Sequence, residues 1–284
     1  MAVAPETEVG AVRLAVSDLP TARRFYERVV GLREVDAADG IVRLGVDDAL
    51  VELADEPAAG PRRPSTTGLF HLAILVPSRA ELARSLRRVA DAGWRLAGAS
   101  DHLVSEALYL ADPEGNGIEI YRDRPREQWR YADGAIEMAT LPLDLRSLIA
   151  EAPEAEDVPA ASSPETRMGH VHLQVSDLAA AEAFYSGVLG FEVTVRGYPG
   201  ALFLSAGGYH HHVGLNTWAG EGAPSPPRGS RGLRWFELVV PDAAELERIE
   251  RALRDAGADV AADAGRLVTA DPSDNGVLIR AASG

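Results

Sequence analysis

Apolar and polar residues alternate from His170 to Val175. The period then turns helical, with Leu178, Ala181, Phe184, Tyr185 and Val188 falling on one face. The stretch GHVHLQVSDLAAAEAFYSGVLGF (169–191) therefore predicts a short strand, an N-cap at Ser176 or Asp177, an amphipathic helix and a stop at Gly190. The same pattern occurs once before, as GAVRLAVSDLPTARRFYERVVGL (10–32), and aligns without a gap when Gly169 is laid on Gly10. Val, Leu, Val, Ser-Asp-Leu, Ala, Phe-Tyr, Val and Gly coincide. Where the second copy has His170, the first has Ala11.

A second pattern also occurs twice. GLFHLAILVPSRAELARSLRRVADAG (68–93) predicts a near-continuous apolar strand from Leu69 to Val76, ended by Pro77. A helix follows with Leu82, Leu86 and Val89 on one face, and Gly93 closes it. Strands are expected at Ala107–Leu110 and Ile118–Tyr121, joined by a turn on Asp112-Pro113-Glu114-Gly115-Asn116-Gly117. GLRWFELVVPDAAELERIERALRDAG (232–257) repeats the first part, and DPSDNGVLI (271–279) repeats DPEGNGIEI (112–120). In the first module, ALVEL (49–53) alternates with period two and reads as its last strand.

The chain thus divides into four modules in the order A-B-A′-B′: residues 10–54, 68–122, 168–218 and 231–281. The Pro/Gly/Ser/Thr-rich runs 55–67 and 219–230 join the modules within each half, 9–130 and 168–281. The acidic Ala/Pro-rich stretch 140–166 is the linker between halves, with one helical turn near Leu145–Ile149. Each module is too small to bury its own sheet face, so modules must pair. The expected class is α+β: four βαβββ modules making two curved mixed sheets.

Composition narrows the partners. At 284 residues, 46% hydrophobic and 25% charged, the chain is an ordinary two-domain globular protein. A net charge of −15 argues against nucleic acid and anionic membranes as partners. With no Cys, thiolate metal sites and Cys nucleophiles are excluded. The segment MAVAPETEVG has neither a basic n-region nor an apolar h-region, and no apolar run reaches membrane-spanning length, so a cytoplasmic protein is expected.

The seven histidines, 71, 102, 170, 172, 210, 211 and 212, all fall in the two middle modules. A single His is more often a surface or core residue than a ligand, and Tyr209-His210-His211-His212 alone reads equally as a polar strand start. The repeat comparison adds weight. His170 stands opposite Ala11, His211 opposite Ala49, His71 opposite Trp235, Glu119 opposite Leu278 and Tyr109 opposite Val268. Metal-competent or polar residues in the middle modules are apolar in the outer ones. Two imidazoles and one carboxylate, His71, His170 and Glu119, are the donor set with which non-haem Fe(II) oxygenases hold a metal on one face.

GHVHLQVSDLAAAEAFYSGVLGF, GYHHHVGLN (208–216), GLFHLAILVP (68–77) and ALYLADPEGNGIEIY (107–121) together resemble the vicinal oxygen chelate superfamily, and within it the bacterial catechol-2,3-dioxygenase-like ring-cleaving proteins. The resemblance covers residues 9–130 and 168–280. It implies a metal-dependent extradiol dioxygenase that inserts both atoms of O2 into a catechol- or hydroquinone-type diol, with Fe(II), or else Mn(II), held by His71, Glu119 and His170. It also implies an acid–base role for His211, with His210 and His212 as neighbouring alternatives, and a hydrogen bond between Tyr109 and the substrate. His102 matches a further His of the family but lies about two positions out of register.

In the family's two-domain dioxygenases one domain carries all three ligands. Here consecutive pairing would leave each half incomplete, so a crossed pairing is expected: module two with three, and one with four, as in glyoxalase-type members. Two other readings share the fold, a glyoxalase-like isomerase or lyase and a metal-free binding or resistance protein. HVGLN (212–216) offers the first no carboxylate, and a full donor set counts against the second. His172 is read as a neighbour of the ligands or as a buried His bonded to backbone. Trp218 and Phe203 are read as core packing, with an aromatic substrate wall as the alternative, and Glu106 has no assigned role. Monomer and homodimer both remain open.

Overall fold

The computed structural model describes residues 1–132, 135–152 and 161–282. The first run comprises β1 (Glu8–Val16), α1 (Leu19–Phe25), β2 (Arg33–Ala38), β3 (Ile41–Gly45) and β4 (Ala49–Asp55). The second comprises β5 (Gly68–Leu75), α2 (Arg79–Asp91), β6 (Gly98–Asp101), β7 (Ser105–Ala111) and β8 (Gly117–Asp123). Three two-residue strands follow, β9 (Tyr131–Ala132), β10 (Ala135–Ile136) and β11 (Leu141–Pro142), then helix α3 (Leu145–Ile149), capped by Asp144. The third run is β12 (Arg167–Gln174), α4 (Leu178–Glu182), β13 (Glu192–Val195), β14 (Ala201–Ser205) and β15 (Val213–Asn216). The fourth is β16 (Gly232–Val240), α5 (Ala243–Asp255), β17 (Val260–Asp263), β18 (Arg266–Ala270) and β19 (Gly276–Ala281). A βαβββ run thus occurs four times, in an α+β chain.

Apart from the β9–β10 hairpin, the strands fall into two mixed sheets, ordered β17-β18-β19-β16-β1-β4-β3-β2 and β11-β6-β7-β8-β5-β12-β15-β14-β13. β16 neighbours β1 and β5 neighbours β12, which is the crossed order. Within a run, the first strand pairs in parallel with the last: β5 with β8, β12 with β15, and β16 with β19. The pairs β2–β3, β3–β4, β6–β7, β7–β8, β13–β14, β14–β15, β17–β18 and β18–β19 are antiparallel.

The chain forms two compact units. The first joins Met1–Arg13 and Gly60–Phe70 to the chain from Gly169 onward, and buries Val171, Leu173, Tyr185, Phe236 and Ile279. The second comprises Leu14–Ala59 and His71–Met168, and buries Tyr26, Leu44, Leu72, Leu82 and Tyr121.

Asp177, not Ser176, caps α4, accepting from the amides of Ala179 (2.7 Å) and Ala180 (3.1 Å), and Asp18 does the same for α1 through Thr21 (3.0 Å). The serines instead tie to the Asp-Pro turns. Ser176 N–H donates to Ser273 Oγ (3.0 Å) and Ser17 N–H to Glu114 Oε1 (2.9 Å). The helices also differ from the expected continuous α form: each widens into a π-turn, at Tyr26–Val30 and Ala183–Val188. The wide turn accompanies a repeated contact, Tyr26 OH to Asp112 Oδ2 (3.2 Å) and Tyr185 OH to Asp271 Oδ2 (3.1 Å). Each turn is followed by a left-handed glycine, Gly31 at φ +90 and Gly190 at φ +96. At Gly190 a Cβ would also stand 2.4 Å from Met1 O, so only glycine fits. Phe-Tyr, Gly and Asp-Pro recur in the sequence because they form one structural clasp.

No helix among the described residues is long and apolar enough to cross a membrane.

Candidate active site

Strand register places the first group of side chains. Ala73 on β5 pairs with Glu119 on β8, and Tyr109 on β7 pairs with Glu119 from the other side. Paired residues share a face and alternate residues return to it, so His71, Tyr109 and Glu119 face the same way. His71 Nε2 lies 3.0 Å from Glu119 Oε2, and both side chains are buried. The His71 and Tyr109 rings are 5.7 Å apart between centroids.

His102 sits in the turn between β6 and β7, and its Nε2 lies 2.7 Å from Tyr109 OH. Its Nδ1 lies 2.7 Å from the carbonyl oxygen of Ala139. A carbonyl only accepts, so Nδ1 carries the hydrogen; in the neutral ring Nε2 then accepts from Tyr109. The turn is tight: Leu103 takes φ +70, and its amide donates to Asp101 Oδ1 at 2.9 Å. This left-handed residue brings His102 onto Tyr109 although its sequence spacing looked out of register.

The second group lies on β12, β14 and β15. His170 and His172 share a face of β12. His172 pairs with Gly214 on β15, which pairs with Phe203 on β14. A Cβ on Gly214 would stand 3.0 Å from the His172 ring, so the glycine makes room for the imidazole. The His170 ring lies 4.0 Å from His211 and 6.1 Å from His210, centroid to centroid.

His210–His212 do not begin a strand. They form the buried turn before β15, which starts at Val213. Their rings have separate tasks. His212 Nδ1 accepts from the Ala206 amide at 3.1 Å, which commits that nitrogen to the backbone. His210 Nδ1 lies 2.8 Å from His211 Nδ1, so one of the two rings donates and the other accepts. Thr194 Oγ1 donates to the His210 carbonyl at 2.7 Å and holds the turn.

Phe203 is buried, as expected for core packing, but Trp218 is not: it is 45% exposed. Its ring lies 5.3 Å from His172 and 5.1 Å from Phe70, which is itself half-exposed, while Phe203 lies 4.9 Å from His211. Sequence reasoning assigned no role to Phe70; an apolar residue at a strand start carries no signal of exposure. Glu106 gains a role. Its buried carboxylate accepts from Arg79 Nε (2.8 Å), Arg122 Nε (2.9 Å) and Arg124 (3.2 Å), tying β7 and β8 to the start of α2.

His71, Glu119 and His170 each offer a ligand atom, and the three atoms lie within 4.8 Å of one another. All three residues are buried. The donor chemistry, two imidazole nitrogens and one carboxylate oxygen, fits a divalent transition metal with positions left for other ligands.

The family model described as "Glyoxalase/Bleomycin resistance protein/Dioxygenase superfamily" matches residues 8–120 and 167–272. A protein from Bacillus subtilis (strain 168) named catechol-2,3-dioxygenase is 44% identical over 260 residues, which is 89% of each chain. Biphenyl-2,3-diol 1,2-dioxygenase 3 from Rhodococcus globerulus is 30% identical over 43% of this chain and 67% of its own. Among solved structures, a putative dioxygenase from Bacillus subtilis superposes with TM-score 0.68 at 14% identity, covering 99% of this chain and 86% of the other. Glyoxalase I from Zea mays superposes with TM-score 0.59 at 16% identity, covering 96% and 92%. At those identities the superpositions speak for the fold alone.

Proposed function

The chain belongs to the Glyoxalase/Bleomycin resistance protein/Dioxygenase superfamily, and on that premise we propose that it is a metal-dependent extradiol dioxygenase, adding both atoms of O2 to a catechol- or hydroquinone-type diol with ring cleavage. The observation that carries this reading is the buried group of two imidazoles and one carboxylate in a chain so close to a named catechol dioxygenase. His71, His170 and Glu119 would hold Fe(II), or else Mn(II). When bound, such an ion favours the ionised substrate oxygens and brings diol and O2 side by side.

The protein's own groups do the rest. Tyr109, its proton engaged by His102, turns the lone pairs of its oxygen toward the diol and orients one hydroxyl. The Ala139 carbonyl fixes His102 in the tautomer that accepts from Tyr109. His211, the imidazole of the triplet nearest His170, holds and delivers the proton that ring opening requires. His210 orients that ring through its Nδ1, and His212 is committed to the Ala206 amide. Phe203 and Trp218 offer apolar ring surface beside these groups. The protein acts in the cytoplasm in aromatic-compound degradation, with an aromatic diol and O2 as its partners.

Anaerobic purification with metal analysis, followed by oxygen uptake on adding catechol, tests the reading. Stoichiometric iron and oxygen consumption with a yellow product are expected, and both should disappear in His71→Ala. An iron-free, well-folded protein that stays inert to added Fe(II) and catechol would overturn it.

A further inference from the structure

In one unit the groove between the first helix of a run and the end of β7 is filled by a tryptophan. In the other unit the same groove lacks that side chain. Trp94 follows Gly93 (φ +64) at the end of α2, and its amide donates to Val89 O at 3.0 Å. Its ring lies against Phe25, with centroids 4.8 Å apart, and its Nε1 donates to Ala111 O at 2.9 Å.

The backbone around this seat repeats closely. Gly257 (φ +72) stands where Gly93 does, and the Ala258 amide donates to Leu253 O at 3.0 Å. Phe184 repeats Phe25 and the Ala270 carbonyl repeats Ala111. The side chains that fill the seat do not repeat. Ala258 replaces Trp94, while Ala180 and Ala183 replace Thr21 and Arg24. A groove of about 680 Å³ opens there, lined by Ala183, Phe184, Ala258, Val268 and Ala270, with Asp259 and Asp274 on its rim. That volume lies in the range of small-molecule sites, and a largely apolar lining with a few polar groups, here Thr269, Asp271 and the Ala270 carbonyl beside the two rim carboxylates, is their usual chemistry.

We propose that this groove binds a flat, bicyclic aromatic molecule carrying one ring N–H, an indole-class ligand, seated as Trp94 is seated in its own repeat. The ring lies against Phe184, and the N–H donates to the Ala270 carbonyl. The exposed carboxylates of Asp259 and Asp274 turn away anionic analogues. Ring burial supplies the affinity, and the carbonyl sets the orientation. The inference stands on the groove alone and needs no dioxygenase activity.

Titration of the full chain with 5-fluoroindole, followed by fluorine NMR, tests it. Saturable one-site binding is expected, weakened at least about tenfold in Ala258→Trp, which restores the missing side chain. Ala183→Arg, an exposed-face change to the residue found at position 24, should weaken it likewise and covers a folding failure of the first variant. Indole-3-acetate should compete poorly, and catechol not at all. Absence of saturable binding, or binding unchanged in both variants, would overturn the proposal. So would displacement by catechol, which would place the probe among the histidines. A wild-type dimer that Ala258→Trp converts to monomer, with no indole binding, would assign the groove to a second copy of this chain instead.

Discussion

Two sets of equivalent strand positions carry opposite chemistry. On β12, β5 and β8 they hold His170, His172, His71, Ala73, Glu119 and Tyr121. On β1, β16 and β19 the counterparts are Ala11, Arg13, Trp235, Glu237, Leu278 and Arg280. A carboxylate is present in both, but it serves different ends. Glu119 lies 3.0 Å from an imidazole, within the group of potential ligands. Glu237 is engaged by Arg280 at 2.7 Å and by the Ala11 amide at 3.3 Å, while Arg13 lies over the Trp235 ring at 4.7 Å. A carboxylate neutralised by a guanidinium is a poor ligand for a cation, and no imidazole stands beside it. The lesson is that the strand framework tolerates either a metal-competent group or an ion-paired plug. Which one it holds is decided by about three side chains.

The sharpest way to break this contrast is His170→Ala. It copies Ala11 into the middle strands, and should abolish iron retention and oxygen uptake together, read by metal analysis and an oxygen electrode. Retention of stoichiometric iron would mean that His170 is not a ligand. Next in size is Tyr109→Phe. Removing the oxygen that accepts from a substrate hydroxyl costs about 0.5–1.5 kcal/mol, so kcat/KM for catechol should fall roughly twofold to tenfold with iron content unchanged.

A third prediction concerns what the repeats share. Burial, reinforced by Asp112 and Asp271, holds the Tyr26 and Tyr185 phenols well above their usual value of 10.0. Since the folded values are raised, this contribution to stability is intact below pH 10.0 and is lost as pH climbs beyond it. The melting temperature should therefore drop steeply in that alkaline range. Tyr26→Phe with Tyr185→Phe should flatten the drop while lowering the melting temperature at pH 7. The smallest effect is expected from Trp235→Ala, the counterpart of His71. It should leave iron content intact and kcat/KM within about twofold, and lose about 0.5–1 kcal/mol of stability with the Arg13 contact, measured by urea unfolding.

Much of this was legible in the sequence, because repetition exposes both what is kept and what is changed. The kept residues, Phe-Tyr, Gly and Asp-Pro, turned out to be the clasp of helix to turn. The changed ones mark the site candidates. What could not be read were features without a side-chain signature. The π-turns follow from the clasp's geometry, not from helical periodicity. β6 (GASD) has no apolar alternation, and β9 to β11 are too short to show any. Trp218 looked like core because a large aromatic after a strand usually is; its neighbours at the surface are rings from distant positions, Phe70 among them.

The contact between His102 and Ala139 has a further consequence. The donor is a side chain, but its partner is a peptide oxygen, so the chemical identity of residue 139 hardly enters. What matters is reach. Ile136 is fixed by pairing with Tyr131, Leu141 by pairing with Asp101, and four residues span the interval. Information about the imidazole's tautomer is thus stored in chain length. A residue-by-residue scan of this segment would find it silent, whereas removing one residue between 136 and 141 would carry the oxygen away from the ring.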